Sequence, residues 1–410
     1  MKCAPPLTQT VNFHKMETMK NLLYLILTLL LLNSCVKPNE KGTFGYDLLF
    51  LNKNKKTIVL KNSNDKCQLV IIPDYQGRVM TSTSNGLNGK SYGWINYDLI
   101  SSNKFEEHIN VFGGEDRFWL GPEGGQYSIF FKKESDFTMD NWYTPKPIDI
   151  EPFSLIENNE TSAVFNKEIQ LINYQGYEFD IKIRREISLL DEEKIKKSLN
   201  IEFDDKISYV GFQSENEMKN VGNSNWSKNN GLLSIWILGM FIPSENTTVI
   251  IPYKDSLELN TSYFGKIDSD RLKITKKYIL FKGDGKYRCK IGVPSKNALP
   301  FFGSYDAKNN VLTIVEYSTS KETSYVNSLF KYQSNPYAGD VINSYNDGPL
   351  KNGKQLGPFY ELESSSVAKE LKQNEFIKHI HKTYHFEGEI EDLNVIAKKL
   401  LNIDLNEIKF

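Results

Sequence analysis

Two glutamates separated by one residue, Glu361 and Glu363, lie in the run Gly357-Pro358-Phe359-Tyr360-Glu361-Leu362-Glu363-Ser364. On an extended strand side chains alternate between faces, so Phe359, Glu361 and Glu363 share one face, and Tyr360 and Leu362 share the other. The two carboxylates then stand about 7 Å apart at Cα. Buried without partners they would be costly, so the spacing calls for a solvated concave face or for cations that meet them there. A carboxylate in a cleft serves as a general base or holds the hydroxyls of a ligand. An exposed strand with ordinary charges is the plain alternative.

A row of imidazoles follows in Lys378-His379-Ile380-His381-Lys382-Thr383-Tyr384-His385-Phe386. Period-two alternation puts His379, His381 and His385 on one face, with Ile380, Tyr384 and Phe386 on the other. The chain has only 5 histidines, and His108 is one of the remaining two. An HxH pair on a strand is one way to hold a metal. A polar row facing a sugar or solvent needs no metal, and the reading adopted includes neither metal nor cofactor.

The run from His108 to Gly125 carries Asn110, Glu115, Asp116, Arg117, Trp119 and Glu123 between two glycine pairs. The guanidinium of Arg117 offers a fork of donors, and the Trp119 ring offers a flat apolar surface to the C–H groups of a pyranose. No GxxxxGK pattern is present, so the glycines do not form a phosphate loop. A turn closed by an internal Arg–Glu pair is the structural alternative. Asn343-Ser344-Tyr345-Asn346-Asp347-Gly348-Pro349 precedes the paired glutamates and ends in a turn signal, which suits Tyr345, Asn346 and Asp347 to the wall of the same cleft.

The elements that must position these residues read as strands. Thr57–Leu60, Gln68–Ile72, Tyr127–Phe131 and Val311–Val315 are short apolar runs rich in β-branched and aromatic types. Asn85-Gly86, Asn88-Gly89, Lys282-Gly283-Asp284-Gly285 and Asn346-Asp347-Gly348 punctuate such runs as turns. Gly231 to Phe241 is too apolar for a solvated face and reads as a core strand. A helical stripe appears only at the C-terminus, where Leu393, Ile396, Ala397, Leu400 and Leu401 recur at i, i+3, i+4, i+7 and i+8. Many strands without a βαβ rhythm predict a large antiparallel β-sandwich with a short C-terminal helix. No Pro/Ser-rich linker divides residues 45–410, which are therefore expected to form one domain.

Composition agrees with a globular body of this kind. Hydrophobic residues make up 40% and charged residues 25%, and the 22 Tyr and 24 Phe suit both strands and sugar stacking. A net charge of -1 without a basic block gives nucleic acid no electrostatic foothold. The 4 cysteines contain no CxxC pair, and Cys67 with Cys289 is open to either a disulfide or two buried thiols. Near the N-terminus, Met19-Lys20-Asn21 leads into the apolar run Leu22–Leu32. That run is shorter than the roughly 20 residues a bilayer-spanning helix needs and matches the core of a secretory signal. Leu32-Asn33-Ser34-Cys35 then reads as a lipobox. These features predict a signal peptide over 19–34, lipidation at Cys35 and a tether over 35–44, with 1–18 a mis-assigned start. Lipid on Cys35 would anchor a soluble body to a membrane at the cell envelope.

Three segments resemble the galactose mutarotase-like superfamily, and within it lipoprotein-type members from Bacteroidetes. Ile72-Pro73-Asp74-Tyr75-Gln76-Gly77-Arg78-Val79 is similar to an early P-x-x-G-G/A-R-I strand. Gly113-Gly114-Glu115-Asp116-Arg117-Phe118-Trp119-Leu120-Gly121-Pro122-Glu123 resembles a GG…R-x-W-x-x-P-E segment. Tyr360-Glu361-Leu362-Glu363, Leu371-Lys372-Gln373-Asn374-Glu375 and the histidine strand resemble E…L-x-P-G-E, with Gln373-Asn374 in place of Pro-Gly. The resemblance implies the mutarotase-like supersandwich and a carbohydrate ligand, with a C-terminal glutamate as base and a histidine as acid. Glu363 matches the base, with Glu361 second. The family's mid-chain histidine has no counterpart between residues 109 and 378, so His381 or His108 would have to supply the acid. Arg78, His108, Asn110, Glu115, Arg117, Trp119, Glu123, Tyr345, Asn346, Asp347 and His379 are then the candidate sugar contacts. The resulting expectation is an envelope-anchored carbohydrate-active protein of epimerase or mutarotase type, or a non-catalytic glycan-binding lipoprotein.

Overall fold

Period-two burial marks the long strands near one edge of the large sheet, whereas many of the others are buried on both faces, in the computed structural model, which describes Met1 and residues 40–350 and 352–410. The export segment and Cys35 lie outside the described residues. In chain order the strands are β1 Ile58–Lys61, β2 Gln68–Ile72, β3 Arg78–Thr83, β4 Arg117–Gly121, β5 Ser154–Asn158 and β6 Ser162–Ile172. Next come β7 Glu178–Leu190, β8 Ser208–Asn220, β9 Ser234–Phe241, β10 Thr247–Pro252, β11 Leu272–Ile274 and β12 Tyr278–Lys282. The last are β13 Cys289–Pro294, β14 Phe301–Asp306, β15 Val311–Tyr317, β16 Asp340–Asn346, β17 Tyr360–Ser365 and β18 Phe376–Glu387. They form a 10-stranded sheet in the order β11-β12-β10-β14-β15-β18-β8-β7-β6-β5, a 5-stranded sheet β13-β16-β17-β9-β4 and a 3-stranded sheet β1-β2-β3. The paired strands within these sheets are antiparallel, as the absence of a βαβ rhythm predicted. Residues Lys41–Phe410 make one unit.

The alternation in β7 shows how the sequence sets the sheet. Phe179, Ile181, Ile183, Arg185, Ile187 and Leu189 are buried, while Glu178, Asp180, Lys182 and Arg184 face water. The large and the five-stranded sheets stack with β17 over β18. Ser364 reaches across the gap to His379 and His381, and Tyr360 reaches Ser304 of β14. On the outer face of the large sheet, the predicted C-terminal helix Ile390–Leu401 buries Leu393, Ile396, Ala397, Leu400 and Leu401 against Leu312, Ile314, Tyr384 and Phe386. Each such side chain removed from water contributes roughly 1.5–3 kcal/mol, which holds a 12-residue helix that has no side-chain N-cap.

Three expectations need correction or completion. Tyr127–Phe131 is not a strand but a turn and loop. Its apolar residues are needed for packing, and Phe130 stacks on Trp142 and tilts against Trp119. A helix, Phe44–Asn54, opens the body where no helical period was read. Phe44 and Leu51 are buried and Leu48 packs partly against the same cluster, a stripe too short to stand out from its polar neighbours. Cys67 and Cys289 are both free and buried, their thiols pushed up to about 11 and about 12 by burial.

Candidate functional site

The five-stranded sheet has one face against the large sheet and one turned away from it, and the paired glutamates lie on the second. Register places Arg117, Leu238, Glu363, Asn343 and Gly292 in one row across the strands. Met240, Glu361, Tyr345 and Lys290 form the next. Glu363 is fully buried. Its Oε2 accepts from Lys290 Nζ at 2.9 Å and from the Trp236 indole N–H at 2.9 Å, whereas its Oε1 has no partner among the described residues. Lys290 Nζ lies 4.7 Å from the Trp236 ring and 5.5 Å from the Tyr263 ring. Asp340 accepts from Tyr263 at 2.6 Å and Asn260 at 2.8 Å, and Asn343 donates to the Tyr263 hydroxyl at 3.2 Å. Gly292 makes room for this group, since a Cβ there would come within 2.1 Å of the Asp340 carboxylate. A cavity of about 10 Å³ remains among Trp236, Tyr263, Lys290, Asp340, Asn343 and Ser365. That volume suits about one water molecule.

Charge is concentrated here and mutually dependent. Burial holds Glu361 well above the usual carboxylate range, and Glu363 adds to the rise against Lys290 and Arg117. Burial likewise pushes Glu123 up to about 7, with Lys290 opposing and Glu363 adding. Burial alone would lower the Lys290 ammonium, but Glu363, Glu123 and Glu361 outweigh it and raise the group above its ordinary value. At the other end of the row, Arg117 donates to Asp149 at 2.8 Å and lies 4.2 Å over the Trp119 ring. Its Nε and Nη1 and the Trp119 indole N–H are buried without partners among the described residues. Asn110 joins through Asp149, donating from its side chain at 2.7 Å. Titratable groups that differ in protonation within one dry site are the means by which proteins assign acid and base roles.

The remaining candidates are distributed as follows. Tyr345 shares the Glu361 face and donates to Asp347, which also meets Arg288 at 3.2 Å. Phe264, 49% exposed, lies against Tyr345 at 5.7 Å and leaves an aromatic surface at the edge of the site. Asn346 turns to the opposite face, bonded to Gly285 and Asp284. Arg78 is fully buried on β3, donating to Gly113 O and Gln76. His108 is half-buried on a loop, its Nδ1 2.7 Å from Trp142 O and its ring stacked on Tyr143. Glu115 leaves the expected cluster altogether. Gly113 and Gly114, at φ 93° and 108°, turn the chain before β4, and the Glu115 carboxylate points to Ser82 and His385.

The expectation that Glu363, Arg117 and His381 share one open groove does not hold as a set. The histidines do share a face, but it is the inner one. His379 Nε2 and His381 Nδ1 each lie 2.8 Å from Ser364 Oγ, which points opposite to Glu363 because it is the next residue on the strand. Burial lowers His379 to about 3 and His381 to about 4. Among the described residues, no group of three or more His, Cys, Asp or Glu is placed to hold a metal ion. Lys290, Asp149, Tyr263 and Asp340 carry the site without having been singled out in the sequence. Lys290 sits in no motif, and only strand pairing reveals that it faces Glu361 and Glu363.

A model described as a family of unknown function, DUF6786, matches residues 42–410. No curated protein matches the sequence. A solved structure from Escherichia coli K12, described as a candidate aldose 1-epimerase, is 9% identical with a TM-score of 0.50, covering 80% of this chain and 98% of that one. A galactose mutarotase-like protein from Lactobacillus casei ATCC 334 is 10% identical over 80% of this chain and all of its own, with a TM-score of 0.49. A Synechocystis sp. PCC 6803 protein is 12% identical over 82% of this chain and 96% of its own, also with a TM-score of 0.49. At 9% identity the first of these likenesses bears on the fold, which is a mutarotase-like β-sandwich. By the match over residues 42–410, the chain belongs to the family DUF6786.

Proposed function

We propose that the protein is an envelope-anchored carbohydrate-active enzyme whose site is the outward face of the five-stranded sheet, with Glu363 as general base. The observation that carries this reading is the unpartnered Glu363 Oε1, held in place by Lys290 and Trp236 through the other oxygen. A lone acceptor beside two carboxyls that favour their protonated form fits a proton-shuttling reaction on a sugar hydroxyl. In an anomeric interconversion, Glu363 would take the proton of the anomeric hydroxyl while Glu123 or Glu361 gives one to the ring oxygen. The ring C–O bond breaks, and reclosure after rotation returns both protons. The fold shared with a candidate aldose 1-epimerase makes this the first reaction class to test. Phe264 and Tyr345 supply surfaces on which a pyranose can stack.

The cavity beside Glu363 has room for about one water rather than a sugar ring, so a second reading is a glycan-binding protein that holds its ligand at the rim without turnover. Anomer exchange measured by NMR over a panel of neutral aldoses and uronic acids separates the two. The enzyme reading expects acceleration that falls about 10²–10⁴-fold in Glu363→Gln while sugar binding persists. Binding without acceleration in the wild type selects the second reading, and the absence of both sinks the two together. Anchoring rests on the apolar run before Leu32-Asn33-Ser34-Cys35. Cys35→Ala is expected to move the protein from the membrane to the aqueous fraction on detergent phase separation. An unchanged distribution would remove the anchor from the proposal.

A further inference from the structure

The proposed carbohydrate face is closed. Glu363 is fully buried and the cavity beside it measures about 10 Å³, whereas a cavity that takes one six-membered ring measures about 150 Å³. Some part of the wall must move if a sugar is to reach Glu363. Trp236, Lys290 and Ser365 form the floor, and they belong to β9, β13 and β17, where strand pairing fixes them. Tyr263 closes one side and is pinned by Asp340 at 2.6 Å. Val326 and Ser328 close another, and they come from the segment between β15 and β16.

That segment is built as a unit. Among the described residues, 318–339 carries no helix or strand, only an isolated bridge from Tyr325 to Ala338. Its ends meet, with Tyr325 N donating to Tyr337 O at 3.1 Å and Asn327 N to Pro336 O at 2.8 Å. Gln333 fills the loop, donating from its side chain to Asn327 O at 3.0 Å and Leu329 O at 2.8 Å. A loop with joined ends and its own filling can move as one body. It sits on Gly124-Gly125, the glycine pair that follows Glu123. A Cβ on Gly124 would come within 2.6 Å of Leu329 O, and one on Gly125 within 2.5 Å of the Gln333 side-chain amide. Polar bonds hold the loop down. Gln126 Nε2 donates to Gln333 O at 2.9 Å, Gln333 N donates to Gln126 Oε1 at 3.0 Å, and Glu123 N donates to Ser328 Oγ at 3.2 Å. Phe330 adds an apolar contact, edge-on to Phe131 at 5.0 Å.

We propose that residues 327–338 are a lid over the outward face of the five-stranded sheet, seated on Gly124-Gly125, latched by the Gln126–Gln333 pair and lifted to admit a ligand beside Glu363. The identity of the ligand rests on the carbohydrate reading above; the motion does not. Each latch bond has a small net worth because water replaces it on opening, so the lid can lift while β16 and β17 stay paired. The glycine pair, which forms no phosphate loop, thereby gains a role as the bare surface that lets the lid close.

Ser365→Cys puts a thiol on the cavity floor, and its labelling by methyl methanethiosulfonate in the full chain, mapped by peptide mass spectrometry, reads the opening. Cys67 and Cys289, both free and buried, serve as the clock for global unfolding. The introduced thiol is expected to label faster than either, and Gln126→Ala to speed it about tenfold by removing both latch bonds. Gly124→Ala, which forces Leu329 O away, should speed it as well. With serine kept at 365, Gly124→Ala should also hasten hydrogen exchange of the Gln333 amide, which keeps the test decisive should the cysteine variant fold poorly. Labelling at the rate of Cys67 and Cys289, or a rate unchanged by both variants, overturns the lid. Glucose, galactose and glucuronate are then added in turn, and protection of the introduced thiol by any of them supports the lid and the sugar reading together. Faster labelling in both variants without protection by a sugar keeps the lid and counts against the carbohydrate reading alone.

Discussion

Replacing Lys290 by methionine is expected to destabilise the fold by about 3–5 kcal/mol near neutral pH, the usual cost of removing one partner from a buried ion pair. Glu363 would stay fully buried, keeping only the Trp236 indole as a donor. Glu361 and Glu123 would lose the cation that holds them down, so both would rise further. The loss should depend on pH with a definite sign. Without Lys290 the folded Glu361 carboxyl, already held above the usual carboxylate range by burial, is expected to move further above its unfolded value, which is about 4.3. A group shifted this way contributes its stability fully below the unfolded value and loses it as pH rises through the folded one. The variant should therefore approach the wild type near pH 4 and diverge from it toward pH 8. Urea unfolding at the two pH values measures the difference. An equal deficit at both would mean that Lys290 acts through packing on Trp236 and Tyr263 rather than through charge. Adding Glu363→Gln to the variant should recover much of the deficit at pH 8, since it removes the stranded charge.

Arg185→Leu is expected to cost a similar amount, about 3–5 kcal/mol, and to do so far from the sugar face. Arg185 is fully buried on the inner face of β7. It pairs with Asp116, also donates to Asp116 O at 2.9 Å and to Asn216 at 2.6 Å, and reaches Gly77 O at 3.2 Å. One side chain thus ties the large sheet to the segments leading into β4 and β3. Asp116 Oδ2 already lacks a partner, so the variant would leave the whole carboxylate uncompensated in the interior. The matching replacement, Arg185→Leu with Asp116→Leu, should restore most of the stability, because two apolar groups of suitable size are tolerated where a lone charge is not. A double variant as unstable as the single one would show that the bonds to Gly77 and Asn216 carry the effect.

How far the sequence reaches is clearest in the strand that carries Glu361 and Glu363. Alternation correctly put both glutamates on one side of β17 and the three histidines on one side of β18. Apolar content made β9 a core strand, the cost of burying charge called for either a solvated face or cations at the paired carboxylates, and a helical stripe placed the last helix. These are properties of neighbours a few residues apart, set by backbone geometry alone.

Which side of a strand becomes interior is a different kind of question when both of its faces carry polar groups. Strand β17 is covered on both sides, and its alternation ranks neither face. Only the stacking of the two large sheets directs Ser364 toward the histidines and leaves Glu363 on the outward face with Lys290. The pairing of Lys290 with Glu363 spans 73 residues of chain, and that of His385 with Glu115 spans 270. Contacts of that range depend on strand order and register across a whole sheet, which no local pattern encodes. Local sequence determined the strands, their two-sided character and the identity of the acidic pair. Tertiary structure decided which charges meet, because burial and pairing are settled between elements rather than within them.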